Sequence, residues 1–141
     1  MIGFEDKYFK KFNFSKKQVQ KYLDSALKDI KIAEESKIAE VKFQFAYNSL
    51  IKIGIALVAC HGYKVSSRMG HHTKILEKMS KILGDKNIWM YGNEMRKTRN
   101  KELYDGGVII TNKQTEEYFD FILKIYKSSQ KFFKGYFNTL L

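Results

Sequence analysis

Residues 38–60 read IAEVKFQFAYNSLIKIGIALVAC, and what must surround them decides the fold. From Phe45 onward, Ala46, Leu50, Ile51, Ile53, Ile55, Leu57, Val58 and Ala59 cover every side of a helical wheel. A helix that is apolar all round is wrapped by other elements, not laid on a surface. Lys52 stands in its middle, and the uninterrupted apolar run, 53–60, is far shorter than a bilayer requires. The stretch therefore reads as the central rod of a soluble helical bundle and not as a membrane span. Tyr47 and Asn48 ride on that rod. Burying either without a partner is costly, so both are candidates for a site or for an internal polar clamp.

On the N-terminal side, Ser15 and Gln18 have the spacing of a capping box. Val19, Tyr22, Leu23, Ala26, Leu27, Ile30 and Ala33 then recur at three-four spacing, which predicts a helix with one apolar face. Residues 1–14 carry Phe4, Tyr8, Phe9, Phe12 and Phe14 among lysines without a clean period. They read as a short helix or as an arm packed on the bundle.

On the C-terminal side, Gly62 stops the rod and residues 63–73 read as a loop rich in Ser, Gly and His. A short helix is expected from about His72 to Leu83, closed by Gly84 and Asp85. A mostly polar segment, 88–104, follows and ends abruptly at 105–107. A brief extended piece, 108–110, leads to a second capping-box spacing at Thr111 and Gln114. Tyr118, Ile122, Ile125, Tyr126, Ser129, Phe132, Phe133 and Tyr136 form the buried stripe of the last helix. No β-hairpin signal stands out. The expected fold is all-α, an antiparallel bundle of four to five helices forming one domain over 1–141.

The composition agrees. The chain has 141 residues, 44% hydrophobic and 15% aromatic, with no proline to interrupt long helices. A formal charge of +11 favours an anionic partner such as nucleic acid. Lone Cys60 cannot form an internal disulfide and fits a reducing cytosol. The N-terminus lacks the apolar core of a secretory signal, so a cytoplasmic protein without a membrane anchor is expected.

Polar chemistry concentrates at residues 96–104. At helical spacing Arg96, Asn100 and Tyr104 fall on successive turns of one face, with Arg99 about one residue's rotation away. Guanidinium forks match phosphate oxygens, and an amide or phenol can orient a ribose or phosphate. The alternative is that Arg99 and Asn100 pair with acids or backbone inside the bundle and set its register. His71 and His72 are adjacent and are expected to face apart; with His61 as the other histidine and one cysteine, a zinc site is not expected. His72 could cap the helix that follows, and either histidine could move protons. No glycine-rich phosphate loop, metal-binding carboxylate cluster or nucleophile elbow is present, so neither a metal nor a cofactor is expected. The lysine and aromatic runs 7–21 and 124–134 resemble single-strand binders in composition, but their rings fall at core spacing.

The run FAYNSLIKIGIALVACHGYKVSSRMGHHTKILEKMSKILG at 45–84, followed by MRKTRNKELYDGG at 95–107, resembles the HEPN (higher eukaryote and prokaryote nucleotide-binding) domains. Tyr47 with Asn48, residues 67–72, and Arg99 with Asn100 and Tyr104 carry the resemblance. It implies a helical bundle, often a two-fold homodimer, encoded within toxin-antitoxin, defence or nucleotidyltransferase-associated systems. Many members are metal-independent ribonucleases in which a histidine follows the motif arginine by four to six residues. Here Tyr104 stands at that position. The implied catalytic set is Arg99, Asn100 and Tyr104, with Arg96, Tyr47, Asn48, Arg68, His71 and His72 binding substrate. Metal-free RNA cleavage needs a proton acceptor of near-neutral pKa and positive charge for the phosphorane-like transition state. Arginine supplies the second, whereas a phenol, with a reference pKa near 10, supplies the first poorly. Three functions follow: a ribonuclease or toxin, a non-catalytic module binding RNA, a nucleotide, a cognate antitoxin or a nucleotidyltransferase, and a purely structural protein.

Overall fold

The computed structural model describes residues 2–104, 106 and 110–138, with residues 102 and 103 described as backbone. Five helices and one two-stranded sheet make up the described residues, in the order β1 (Phe9–Lys11), α1 (Lys16–Glu35), α2 (Ala39–Cys60), β2 (Tyr63–Val65), α3 (His71–Leu83), α4 (Lys86–Tyr104) and α5 (Asn112–Asn138). The fold is the expected all-α bundle. Its axis is α2, which touches each of the other four helices.

Burial along α2 explains that position. Phe43, Ala46, Tyr47, Leu50, Ile53, Ala56, Leu57 and Val58 are each at most 1% exposed, and the remaining side, with Gln44, Asn48, Lys52 and Ile55, is half-buried. By length and hydropathy α2 could cross a membrane, but 67% of its most apolar window is buried inside the bundle, as expected of a core helix. Its two lysines are paired: Lys52 lies 2.6 Å from Asp29 on α1, and Lys42 lies 3.0 Å from Glu116 on α5. The ammonium of Lys42 also stands 4.5 Å from the ring centre of Phe119.

Local signals place the helix ends. Ser15 and Gln18 exchange the two hydrogen bonds of a capping box, and Thr111 and Gln114 do the same before α5. Residues 36–38 join α1 to α2, a connection so short that the pair must run antiparallel. Gly84, at φ +65°, ends α3 in the left-handed conformation that favours glycine. The abrupt end expected at 105–107 and the extended piece at 108–110 lie, apart from Gly106 and Ile110, outside the described residues.

One expectation is corrected. Part of the segment read as a loop after Gly62 is strand β2, and the N-terminal arm contains its antiparallel partner β1, with Phe9 opposite Val65 and Lys11 opposite Tyr63. Strands of three residues are too short to display a period of two, and lysines stand within both. The arm is fastened by side chains as well. Phe9 is 1% exposed, and the ring of Phe4 stacks on Tyr63 at 4.2 Å between centroids. Lys78 of α3, also 1% exposed, stands 5.6 and 5.7 Å from the ring centres of Phe4 and Phe9 and holds Glu5 at 2.5 Å.

Candidate functional site

Helix α3 and helix α4 meet at Gly84 and Asp85 and pack together as a hairpin, so positions equally far from the turn lie side by side. Residue 72 precedes the turn by about 19 Å of helix, and residue 97 follows it by the same distance. The start of α3 therefore lies beside the last two turns of α4. A cleft of about 440 Å³ opens there, lined by Ser67, Arg68, Met69, Gly70, His71, His72, Thr73, Arg96, Arg99, Asn100 and Tyr104.

Seven residues singled out in the sequence thus converge: Arg96, Arg99, Asn100 and Tyr104 from α4, His71 and His72 from α3, and Arg68 from the loop before it. Tyr47 lies beneath them, fully buried, with its hydroxyl 2.8 Å from Nδ1 of His72. The guanidinium of Arg99 stands 5.7 Å from the Tyr47 ring centre. Asn48 does not join them. One position further round α2, it is not among the residues lining the cleft, and its Oδ1 accepts a 3.3 Å hydrogen bond from Gln44. Tyr104 sits on the rim, 77% exposed.

The histidines also depart from expectation. They do not face apart; their rings meet edge to face, 4.4 Å between centroids, at the mouth of the cleft. Nor does His72 cap α3. The cap position is Gly70, at φ +84°, which has no side chain to offer. The N–H of His71 bonds to Arg68 O at 3.0 Å, but those of His72 and Thr73 find no backbone acceptor among the described residues. An uncapped helix N-terminus presents free donors and the positive end of the helix dipole. Only Gly70, ahead of α3 without a Ser, Thr, Asp or Asn at the cap, hints at this in the sequence.

Burial sets the protonation of the inner pair. The His72 imidazole is pushed down to about 4, first by burial and then by His71, Arg99 and Arg96. The Tyr47 phenol is raised well above its ordinary value by burial, against the pull of Arg99 and Arg96. Both are uncharged near neutrality, so theirs is a hydrogen bond between neutral partners. Arg99 keeps its Nε buried without a hydrogen-bond partner, and none of Arg68, Arg96 and Arg99 pairs with a carboxylate among the described residues. Among the described residues, therefore, no acid makes the internal ion pair considered for Arg99. Arg96 Nε donates to Asn93 at 3.0 Å, which holds its fork toward the cleft.

No described carboxylate lines this cleft, and no cluster of three His, Cys, Asp or Glu among the described residues is placed to hold a metal. A larger groove, about 880 Å³, runs between α4 and α5. Its lining mixes Glu94, Glu117 and Asp120 with Lys97 and Lys124, and none of the converging residues reaches it. Cys60, pushed up to about 12 by burial, is a thiol without nucleophilic character near neutrality. Comparison with models of protein families, with curated proteins and with solved structures finds no match to this chain.

Proposed function

We propose that this protein is a HEPN-like, metal-independent ribonuclease, of the kind found as toxins in toxin-antitoxin or defence systems, and that it acts on RNA at the arginine cleft. The observation that carries the reading is the convergence of Arg68, Arg96 and Arg99, without a described carboxylate, on the uncapped start of α3. Unpaired guanidiniums and free helix N–H groups together form a receptor for a phosphate. In this reading Arg99 clamps the scissile phosphate, Asn100 orients it and Arg96 holds a neighbouring oxygen. A homodimer with two clefts facing each other would extend the receptor along an RNA strand.

A second reading has its own support. Tyr104, standing where the family motif has histidine, is 77% exposed and has no hydrogen bond to the arginines. A cleft without proton chemistry would bind RNA, a nucleotide, an antitoxin or a partner nucleotidyltransferase and cleave nothing.

The test is cleavage of a mixed RNA pool in EDTA by wild type, Arg99→Ala and Tyr104→Phe. Loss of a transition-state phosphate clamp lowers rate by about 10²–10³-fold, and that is the expected result for Arg99→Ala. Cleavage by Arg99→Ala at the wild-type rate would sink the ribonuclease reading. A folded wild type that binds RNA without cutting it supports the second.

A further inference from the structure

We infer that His71, a residue of α3 and not of the arginine helix, is the group that takes the proton in the cleft. The inference rests on the ribonuclease reading above and supplies the proton acceptor that Tyr104 makes poorly.

Its Nδ1 lies 2.6 Å from the carbonyl oxygen of Arg68. A carbonyl oxygen can only accept, so Nδ1 carries the hydrogen, and in the neutral ring the lone pair is left on Nε2. The tautomer is thus fixed by the backbone of a residue that itself lines the cleft. His72 cannot take the same role. The Tyr47 hydroxyl can donate to its Nδ1 or accept from it, so that bond fixes no lone pair on Nε2, and its part-buried ring meets His71 edge to face. The Tyr47–His72 pair is a floor that positions the His71 ring. Among the groups lining the cleft, His71 alone combines a defined lone pair with access to the open side, next to the arginines and the free N–H groups of α3.

The chemistry this permits defines the substrate. Nε2 of His71 removes the proton of a 2′-hydroxyl; that oxygen forms a bond to the adjacent phosphorus as the bond from phosphorus to the 5′-oxygen breaks. The leaving oxygen takes a proton from water, and the resulting hydroxide recovers the proton held by His71. Products are a 2′,3′-cyclic phosphate and a 5′-hydroxyl, with no co-reactant consumed. The arginines stabilise charge on the phosphate oxygens throughout. RNA is a substrate and DNA is not, because the nucleophile is the 2′-hydroxyl.

The test uses His71→Asn, whose amide N–H can still donate to Arg68 O but which has no basic nitrogen. Cleavage in EDTA is followed on RNA across pH, and affinity is measured on the same strand with 2′-deoxy sugars, which cannot react by this route. Expected are a cleavage rate lowered by about 10²–10⁴-fold and the loss, in the variant, of a pH dependence that the wild type shows. Affinity for the 2′-deoxy strand stays within a few fold, which also shows that the variant is folded. His71→Gln serves if it is not. Wild-type cleavage matched by the variants overturns the role of His71 and leaves the ribonuclease reading standing. A wild type that cuts no RNA overturns both.

Discussion

Tyr47 and Asn48 are neighbours on α2, yet one supports the cleft and the other bonds to Gln44 on its own helix. A rotation of about 100° per residue separates their directions, and only packing shows which direction meets α3. The partner of Tyr47, His72, makes a prediction about pH. Folding lowers its pKa from 6.5 to about 4, so the unfolded chain binds a proton that the folded chain refuses. Stability is therefore fully present above pH 6.5 and falls as pH drops from there to about 4. Glu5 follows. The hydrogen bond from Lys78, with help from Lys74, holds its carboxyl at about 2 against an ordinary 4.5, a contribution lost between those values as pH falls. Thermal melts between pH 8 and 3 should show the first decline beginning near neutrality, and His72→Gln should remove that part of the slope. A melting temperature constant from pH 7 to 5 in wild type would contradict it.

At the scale of elements, the α3–α4 hairpin, its seat on α2 and the loop ahead of α3 place the groups of the cleft. The seat is close. A Cβ added at Gly54 of α2 would stand 2.3 Å from Cγ2 of Ile75 and 2.7 Å from the sulfur of Met79, both on α3. Ile75 is β-branched and fully buried, so it cannot simply swing away. Gly54→Ala should destabilise the fold by about 1–3 kcal/mol, measured by urea denaturation, despite alanine's better helix propensity. An unchanged or raised midpoint would mean that α3 is not held against α2 at this distance. The N-terminal arm braces the same hairpin from outside, because β1 pairs with β2 just ahead of the Arg68 loop and Tyr8 O accepts from Ser66 N at 2.7 Å. The aromatic character of the arm was legible in the sequence and its strand was not, since a three-residue ladder is defined by its partner and not by its own pattern.

For the whole molecule, the formal charge of +11 invites the view that any polyanion would bind anywhere. The structure separates two contributions. Several lysines are spent on internal pairs, among them Lys42, Lys52, Lys74 and Lys78, whereas the three arginines of the cleft face a cavity without a described acid. If binding to single-stranded RNA is confined to the cleft, the slope of log K against log salt should be about −2, from roughly −0.7 for each of three phosphates. Arg99→Ala should make it shallower by about 0.7. A slope steeper than about −5 would place the RNA across the general lysine surface instead.

What the sequence determined by itself is the bundle and its axis: periodicity, capping boxes and glycine stops are local signals, written within a few residues of where they act. It also indicated Arg96, Arg99, Asn100 and Tyr104 as one group, because a single helix relates them. It did not reveal that His71 and His72 share a mouth with those arginines, that Lys78 is buried against Phe4, Phe9 and Glu5, or that Asn48 is left out. Those facts depend on how α3 turns back at Gly84, at what distance it packs on α2, and on which edge β1 adds. Each is a relation between residues far apart in the chain, settled by the packing of side chains from several elements at once, and only the tertiary structure contains it.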